Sequence, residues 1–306
     1  MSKDLTYIIP PIDRALIKEE LTRDKFVRNT NKLDNEIYII NHHNSPHIMQ
    51  EIGRLRELTF ASAGGGTGKS VDIDDYDLAD LPYDQLIVYS PDDEEIIGGY
   101  RFMDCSKIIK SKNINLSTLH YFDFSKKFTA DFLPQTVELG RSWIQPKFQP
   151  ANSRKGLFSL DNLWDGLGAI VVENPWVNYF FGKVTMYSNF NTTAKSYILS
   201  FMHYYFPDNE NLVTPIQALE IDTANSTILE LIDGLSFTEG YKILQKEVKA
   251  CGSKIPPLIN NYMGLSATMK TFGTAINNDF GAVDETAILI SISDIFHEKK
   301  ERHLDY

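Results

Sequence analysis

Short strands alternate with amphipathic helices along the 306-residue chain, and no Pro- or Ser-rich linker separates them. The sequence predicts strands at 36–41, 84–90, 95–103, 136–144, 179–187 and 287–293, and helices at about 46–60, 159–171, 192–206 and 236–252. That order is typical of a mixed α/β fold. We therefore predict an N-terminal arm over 1–35 and a single domain over 36–306. Its core ends at about 206, and 207–306 forms an elaborated C-terminal region.

The composition excludes several classes of protein. A net charge of -11 argues against a nucleic-acid partner. Apolar runs such as 169–172 are far shorter than the roughly 20 residues that span a bilayer, and the charged N-terminus lacks the apolar core of a secretory signal. Only two cysteines occur, Cys105 and Cys251, and their distance in sequence argues against a disulfide framework or a thiolate metal site. These features favour a cytoplasmic protein.

Charge is distributed unevenly along the chain. Residues 70–100 contain ten Asp and Glu and no Lys or Arg, whereas residues 101–155 contain ten Lys and Arg against four acids, a net of +6. The rest of the chain therefore carries -17. Such asymmetry indicates either a local surface that faces an anion or an ordinary solvated basic face.

One motif is misleading. Residues 63–70, Ala-Gly-Gly-Gly-Thr-Gly-Lys-Ser, fit a relaxed phosphate-loop pattern. That loop binds phosphate when a buried strand precedes it and a helix follows it. Here a helix precedes the loop, and the acidic residues 72–75 follow it. We therefore reject a nucleotide site and interpret the segment as a flexible loop, for which a lid is one role.

His42, His43 and His47 lack metal-like spacing, so no metal site is predicted.

Six charged residues and one aromatic residue form the informative pattern, which comprises Arg56, Phe60, Asp74, Asp77, Arg101, Glu138 and Arg141. Their order, Arg-x-x-x-Phe, Asp-x-x-Asp, an Arg after a small-residue strand and Glu-x-x-Arg, resembles the acyl-homoserine-lactone synthases and the ornithine-lipid N-acyltransferases. These are sister branches of the GNAT superfamily. The segments 162–167, 179–184 and 255–258, with Tyr262 and Gly264, resemble the lipid branch, which includes hemolysin-like proteins.

The resemblance implies a GNAT-like α/β fold and transfer of a long, in some relatives 3-hydroxylated, acyl group from acyl carrier protein to the α-amine of ornithine or glycine, the first step of aminolipid synthesis. It implies no cofactor beyond the phosphopantetheine thioester of the donor, which is a co-substrate. Glu138 is the predicted catalytic base, and Arg56, Phe60, Asp74, Asp77, Arg101 and Arg141 are the predicted substrate-binding residues. Lys147, Arg154 and Lys155 are predicted to dock the acidic carrier, and release of the product is expected to involve peripheral contact with the inner face of the membrane.

Other interpretations stay open at this point. The charged residues are also compatible with a buried network that only holds the N-terminal helices against the sheet. An acyl-homoserine-lactone-type signal synthase and a non-catalytic acyl- or lipid-binding protein are the alternative functions.

Overall fold

The computed structural model describes residues 5–111, 114–220 and 227–304. The chain divides into two compact units. The first comprises the described residues within Met1–Lys112, Val137–Val177 and His297–Tyr306, and the second those within Asn113–Thr136 and Asn178–Phe296.

The first unit contains five strands and six α-helices in its described part. The strands are β1 (Phe26–Asn29), β2 (Glu36–Ile40), β3 (Asp84–Ser90), β4 (Glu95–Asp104) and β6 (Thr136–Ile144). The helices are α1 (Arg14–Glu20), α2 (Pro46–Ala63), α3 (Asp75–Leu78), α4 (Cys105–Lys110), α5 (Gly156–Glu173) and α10 (His297–His303).

The strands of this unit pair antiparallel in the order β1-β2-β3-β4-β6. Gln85 of β3 lies opposite Arg101 of β4, and Arg101 lies opposite Gly140 of β6, so these positions share one face of the sheet. Leu86 points to the other face, where it packs against Gly166 of α5. The α2 side of the sheet is therefore the face that carries Arg101 and Glu138.

The second unit contains the strands β5 (Phe122–Phe124), β7 (Tyr179–Met186), β8 (Val213–Pro215), β9 (Lys270–Asn277) and β10 (Val283–Ser291). Its helices are α6 (Thr192–Tyr205), α7 (Thr227–Ile232), α8 (Phe237–Ala250) and α9 (Pro257–Met263). Strand β10 pairs antiparallel with β7 on one side and β9 on the other, and β5 pairs with β8.

The predicted mixed α/β fold is confirmed, and so are most of its elements. Helix α2 begins with Pro46 at its first position and ends at Gly64, whose φ of 113° is left-handed. Helix α8 has the predicted capping box of Ser236 and Glu239. Other boundaries were wrong. Helix α5 begins at Gly156 rather than Ser159, and β10 spans 283–291 rather than 287–293. Strand β9 was missed.

No helix in the described residues is both long enough and apolar enough to cross a membrane.

Candidate active site

Three guanidinium groups and three aspartates of the first unit meet on the α2 side of its sheet. Arg56 comes from α2, Arg101 from β4 and Arg141 from β6. The aspartates, Asp72, Asp74 and Asp77, come from the segment that leads into α3 and from α3 itself. Phe60 lies one helical turn after Arg56 and is also buried. The predicted charged residues are thus brought together.

The contacts form a continuous network. Arg56 Nε lies 3.1 Å from Asp72 Oδ2, and Arg56 Nη1 lies 3.2 Å from Asp77 Oδ2. Arg101 Nη1 donates to both carboxylate oxygens of Asp74 at 2.7 Å and lies 3.4 Å from Asp77 Oδ1. Arg141 Nε lies 2.9 Å from Asp72 Oδ2, and Arg141 Nη2 lies 3.6 Å from Asp74 Oδ2. Every arginine therefore contacts two aspartates.

Asp72 was missed by the sequence analysis, although it joins Arg56 to Arg141. Its backbone N–H donates to the Gly53 carbonyl at 2.9 Å, which fixes the segment against α2. The two-residue spacing from Asp72 to Asp74 was the available signal, since residues at that spacing in extended backbone share a side. Only the fold reveals that this side faces the arginines.

Opposite charges decide the protonation states in the network. Burial alone would raise the pKa of Asp72, but Arg141 and Arg56 lower it below its ordinary value. Burial would likewise raise the pKa of Asp74, and Arg101 lowers it. Burial would lower the pKa of Arg101, but Asp77 and Asp74 raise it. All three groups are therefore ionised near neutral pH.

Burial divides the network into a hidden part and an accessible part. The side chains of Arg56, Asp72 and Asp77 expose none of their surface, and that of Arg101 exposes 3%. Asp74 exposes 29% of its side chain and Arg141 exposes 16%. These two side chains are partly exposed to solvent, whereas the others are interior.

The predicted catalytic residue, Glu138, lies on β6 on the same face as Arg101. It is completely buried, and the hydroxyl of Tyr83 donates to its Oε2 at 2.9 Å. The Arg101 guanidinium carbon lies 4.9 Å from the centre of the Tyr83 ring, a cation–π contact that ties Glu138 to the network. Burial, and then Glu138 and Asp74, raise the pKa of the neighbouring Tyr76 to about 12.

Strand β6 has a bulge beside the network. Gly99 pairs with Trp143 and Arg101 with Gly140, so Arg141 and Ser142 together oppose the single residue Tyr100. Arg141 has a φ of 45°, which is left-handed and strained for a residue with a side chain. The bulge turns the Arg141 side chain toward Asp72.

Two of the three residues predicted to dock a carrier protein, Lys147 and Lys155, lie near acids at the β3–β4 turn. Lys147 Nζ lies 2.9 Å from Glu95 Oε1, and Lys155 Nζ lies 2.7 Å from Asp93 Oδ2. Arg154 is exposed. Because the two lysines pair with acids, their contribution to a positive surface is reduced.

The glycine-rich segment 63–70 is docked on α2. The backbone N–H groups of Thr67 and Gly68 donate to the carboxylate of Glu57 at 2.8 and 2.9 Å, and the Thr67 hydroxyl donates to it at 2.7 Å. The Tyr7 hydroxyl adds a fourth bond at 2.8 Å. Glu57 is completely buried. The loop thus encloses an anion of its own chain, as phosphate loops enclose a ligand.

Comparisons with known proteins identify the family to which this chain belongs. A family profile for the acetyltransferase (GNAT) domain matches residues 55–159, the range that holds all three arginines. A glycine N(alpha)-acyltransferase of Phocaeicola vulgatus is 50% identical over 301 residues, which cover 97% of this chain and 92% of that protein. A glycine N(alpha)-acyltransferase of Bacteroides thetaiotaomicron is 50% identical over 300 residues, covering 97% and 89%. The chain belongs to this family of GNAT N-acyltransferases.

The solved structures that match are of the CoA-dependent acyl-homoserine lactone synthase BjaI. The match to its complex with SAM and isopentyl-CoA has a TM-score of 0.40 at 11% identity, over 89% of this chain and 86% of that one. At that TM-score the likeness bears on neither substrate nor mechanism. This N-acyltransferase is an enzyme, so the alternative of a non-catalytic acyl-binding protein is set aside.

Proposed function

We propose that this N-acyltransferase transfers a long-chain acyl group from acyl carrier protein to the α-amine of glycine. The observation that carries the choice of acceptor is the 50% identity, over nearly the full length of both chains, to two enzymes named for glycine. Ornithine, the other acceptor that the sequence left open, has no such support.

The reaction would be a direct attack of the amine on the thioester. The amine nitrogen forms a bond to the carbonyl carbon, the carbon–sulfur bond breaks, and the phosphopantetheine thiolate leaves. The attacking ammonium must first lose a proton to a base. The phosphopantetheine thioester is a co-substrate in this scheme, and no separate cofactor takes part.

Glu138 is the proposed base, and its burial constrains how it acts. Because the carboxylate is enclosed, the proton must reach it through a hydrogen-bonded group. The Tyr83 hydroxyl already bonds to Glu138 Oε2 at 2.9 Å and is the proposed relay. The nitrogen loses a second proton as the amide forms. One of the two protons passes to the departing thiolate and the other is released to solvent, so the base is regenerated in each turnover.

The accessible part of the network is proposed to bind substrate. A guanidinium binds a carboxylate through parallel hydrogen bonds, and Arg141 is the arginine of the network with an exposed surface. Arg56 and Asp77, which are fully buried, are proposed to hold the geometry instead. Arg154 and the two lysines near it remain the proposed contact with the acidic carrier.

The test is an acylation assay with purified enzyme, a long-chain acyl carrier protein, and glycine or ornithine, read by mass spectrometry. We expect N-acylglycine. Formation of N-acylornithine alone, or of no N-acyl amino acid, would refute the proposal.

A pair of variants tests the base. Glu138→Gln is expected to lower kcat by about 10²- to 10⁴-fold while the protein stays folded. Glu36→Gln is the matched control, because Glu36 also accepts a hydrogen bond from a tyrosine, Tyr38, at 2.8 Å on the same sheet. Equal activity of the two variants would remove Glu138 from the mechanism.

A further inference from the structure

A second polar cluster lies in the other unit, on one face of the sheet formed by β7, β10 and β9. Thr185 pairs with Glu285 and Glu285 with Ala275, while Lys183 precedes Thr185 by two residues, so all four positions share a face. Asn277 lies two residues beyond Ala275 and shares this face. None of these residues takes part in the arginine–aspartate network.

The cluster is charged and buried. Lys183 Nζ lies 3.6 Å from Glu285 Oε1, and their side chains expose 12% and 4% of their surface. The Thr185 hydroxyl donates to Glu285 Oε2 at 2.9 Å, and Asn277 Nδ2 donates to Glu285 Oε1 at 3.0 Å. Lys183 Nζ also lies 4.3 Å from the centre of the Tyr121 ring. Removing an ion pair from water costs free energy that the surrounding contacts must compensate.

One buried polar atom of the cluster lacks a hydrogen-bond partner among the described residues. Asn277 exposes only 2% of its surface, and its Oδ1 has no hydrogen-bond partner among the described residues. Because the amide nitrogen of the same group is bonded to Glu285, the oxygen lies beside the ion pair. A buried acceptor without a donor is destabilising. A ligand that donates a hydrogen bond to this oxygen would therefore gain binding free energy.

An open pocket adjoins the cluster. Its volume is about 230 Å³, against about 30 Å³ for each molecule of liquid water, so a small amino acid fits. Tyr121 lines this pocket and also contacts Lys183, and Ala275 lines it directly opposite Glu285. The other lining residues are His120, Ile216, Gln217, Ile276, Asn278 and Asp279.

We propose that Lys183, Glu285 and Asn277 with this pocket form a binding site for a free α-amino acid. The ammonium or amine of the ligand donates to Asn277 Oδ1 and Glu285, and its carboxylate accepts from Lys183 Nζ. A zwitterion adds one charge of each sign, so it preserves the electrical balance of the Lys183–Glu285 pair. The choice of glycine as the ligand rests on the proposed function.

The test is titration calorimetry with glycine and no acyl donor, so that binding is measured apart from turnover. Wild-type protein is expected to bind glycine, while acetate, which lacks the amine, and glycinamide, which lacks the carboxylate, bind at least tenfold more weakly. Equal binding of acetate and glycine would indicate a simple anion site and overturn the proposal, as would the absence of glycine binding.

Variants locate the site. Lys183→Met and Asn277→Leu are expected to weaken glycine binding at least tenfold in the same titration, because each substitution removes a group that contacts the ligand. Lys195→Met is the matched control, since Lys195 pairs with Asp284, the neighbour of Glu285 that points to the opposite face of the sheet. Asn277→Leu removes no charge and provides the test if Lys183→Met fails to fold.

The outcomes separate the two proposals. If glycine binds and these variants weaken it, the site stands even when glycine is not acylated, and only the proposed function fails. If folded Asn277→Leu binds glycine like wild type, the site is wrong while the proposed function is untouched.

Discussion

The arginine that organises the site is also the one most enclosed. Arg56 contacts Asp72 and Asp77, exposes none of its side chain, and has one nitrogen, Nη2, without a hydrogen-bond partner among the described residues. An arginine in this position cannot touch a substrate in the observed conformation. Its contribution is to hold Asp72 and Asp77, each of which would otherwise be left with a single arginine, Arg141 or Arg101, as its counter-charge.

Arg56→Met should therefore destabilise the fold. Loss of one partner from a buried ion pair costs about 3–5 kcal/mol in the free energy of unfolding. Arg14→Met is the control, because Arg14 is half exposed in its pair with Glu95, and exposed pairs contribute at most about 1 kcal/mol. Urea denaturation measures both, and similar losses in the two variants would contradict the assigned burial.

Replacing Arg141 should affect activity more than stability, in contrast to Arg56. Arg141→Gly removes the guanidinium but suits the left-handed backbone at φ 45°, so we expect a change in unfolding free energy of less than about 2 kcal/mol. Activity should fall by about 10-fold or more, since a bidentate contact to substrate is lost. Arg141→Lys should restore only part of it. Urea denaturation and kcat/KM separate the two effects, and unchanged activity would make Arg141 structural.

At the scale of elements, the approach of β4 to its two neighbours, β6 and β3, depends on two glycines. A Cβ on Gly98 would lie 2.4 Å from the carbonyl oxygen of Trp143, and one on Gly99 would lie 2.6 Å from that of Leu86. Both contacts involve backbone atoms, which cannot turn aside as a flexible side chain does. These glycines keep Arg101 within reach of Asp74.

Gly98→Ala is expected to lower the free energy of unfolding by about 1–3 kcal/mol, the range for overpacked sites. Gly140→Ala is its counterpart on β6, where the nearest atom to a new Cβ is Arg101 Nε at 3.8 Å, an ordinary contact. That substitution should change stability by less than about 1 kcal/mol. Thermal and urea unfolding compare the pair, and the reverse ranking would contradict the described strand packing.

The parts of the site that sequence could predict are those set by local pattern. Arg56 lies on a helix with clear spacing and Arg101 and Arg141 on apolar strands, so their elements were identified. Asp72 lies in a loop without periodicity, and only its bond to Gly53 directs it toward Arg56. The bulge at Arg141 depends on the pairing of β6 with β4. Strand β9 was missed because its polar sequence is interrupted by Gly273.

At the scale of the whole molecule, the charge asymmetry along the sequence is largely cancelled in space. The acidic stretch 70–100 and the basic stretch 101–155 pair with each other through Arg101 and Asp74, Arg141 and Asp72, and Lys147 and Glu95. A net of +6 in sequence therefore overstates the positive surface that a carrier protein would meet. Lys147 and Arg154 of the predicted docking set are both exposed, but Lys147 pairs with Glu95 whereas no ion pair of Arg154 is found within the described residues, so a charge-reversal test should focus on Arg154.

The same ion pairs make the free energy of unfolding depend on pH. The pKa values of Asp72 and Asp74 are lowered in the folded protein. Burial alone would raise them, but the neighbouring arginines lower them by more. Their stabilisation is complete above the unfolded value of about 3.9 and is lost as the pH falls toward the folded values. Asp84, whose burial raises its pKa, acts in the opposite sense.

We therefore expect the free energy of unfolding to be nearly constant between about pH 5 and 7 and to fall below about pH 4. Asp72→Asn should reduce the slope below pH 4 by up to about 1.4 kcal/mol per pH unit, the contribution of one proton. Urea titrations at several pH values give the slope. A slope unchanged by the substitution would exclude Asp72 as a source of the acid sensitivity.

The loop around Glu57 also affects whether this chain can bind nucleotides. Its anion is joined to the loop by only ten residues of backbone, from Glu57 to Thr67, and a tethered partner acts at a local concentration in the millimolar range or above. Dissolved phosphates compete poorly against such a partner. A search for the sequence motif alone would predict ATP binding for this enzyme, although the N–H groups of the loop already bind the carboxylate of its own Glu57.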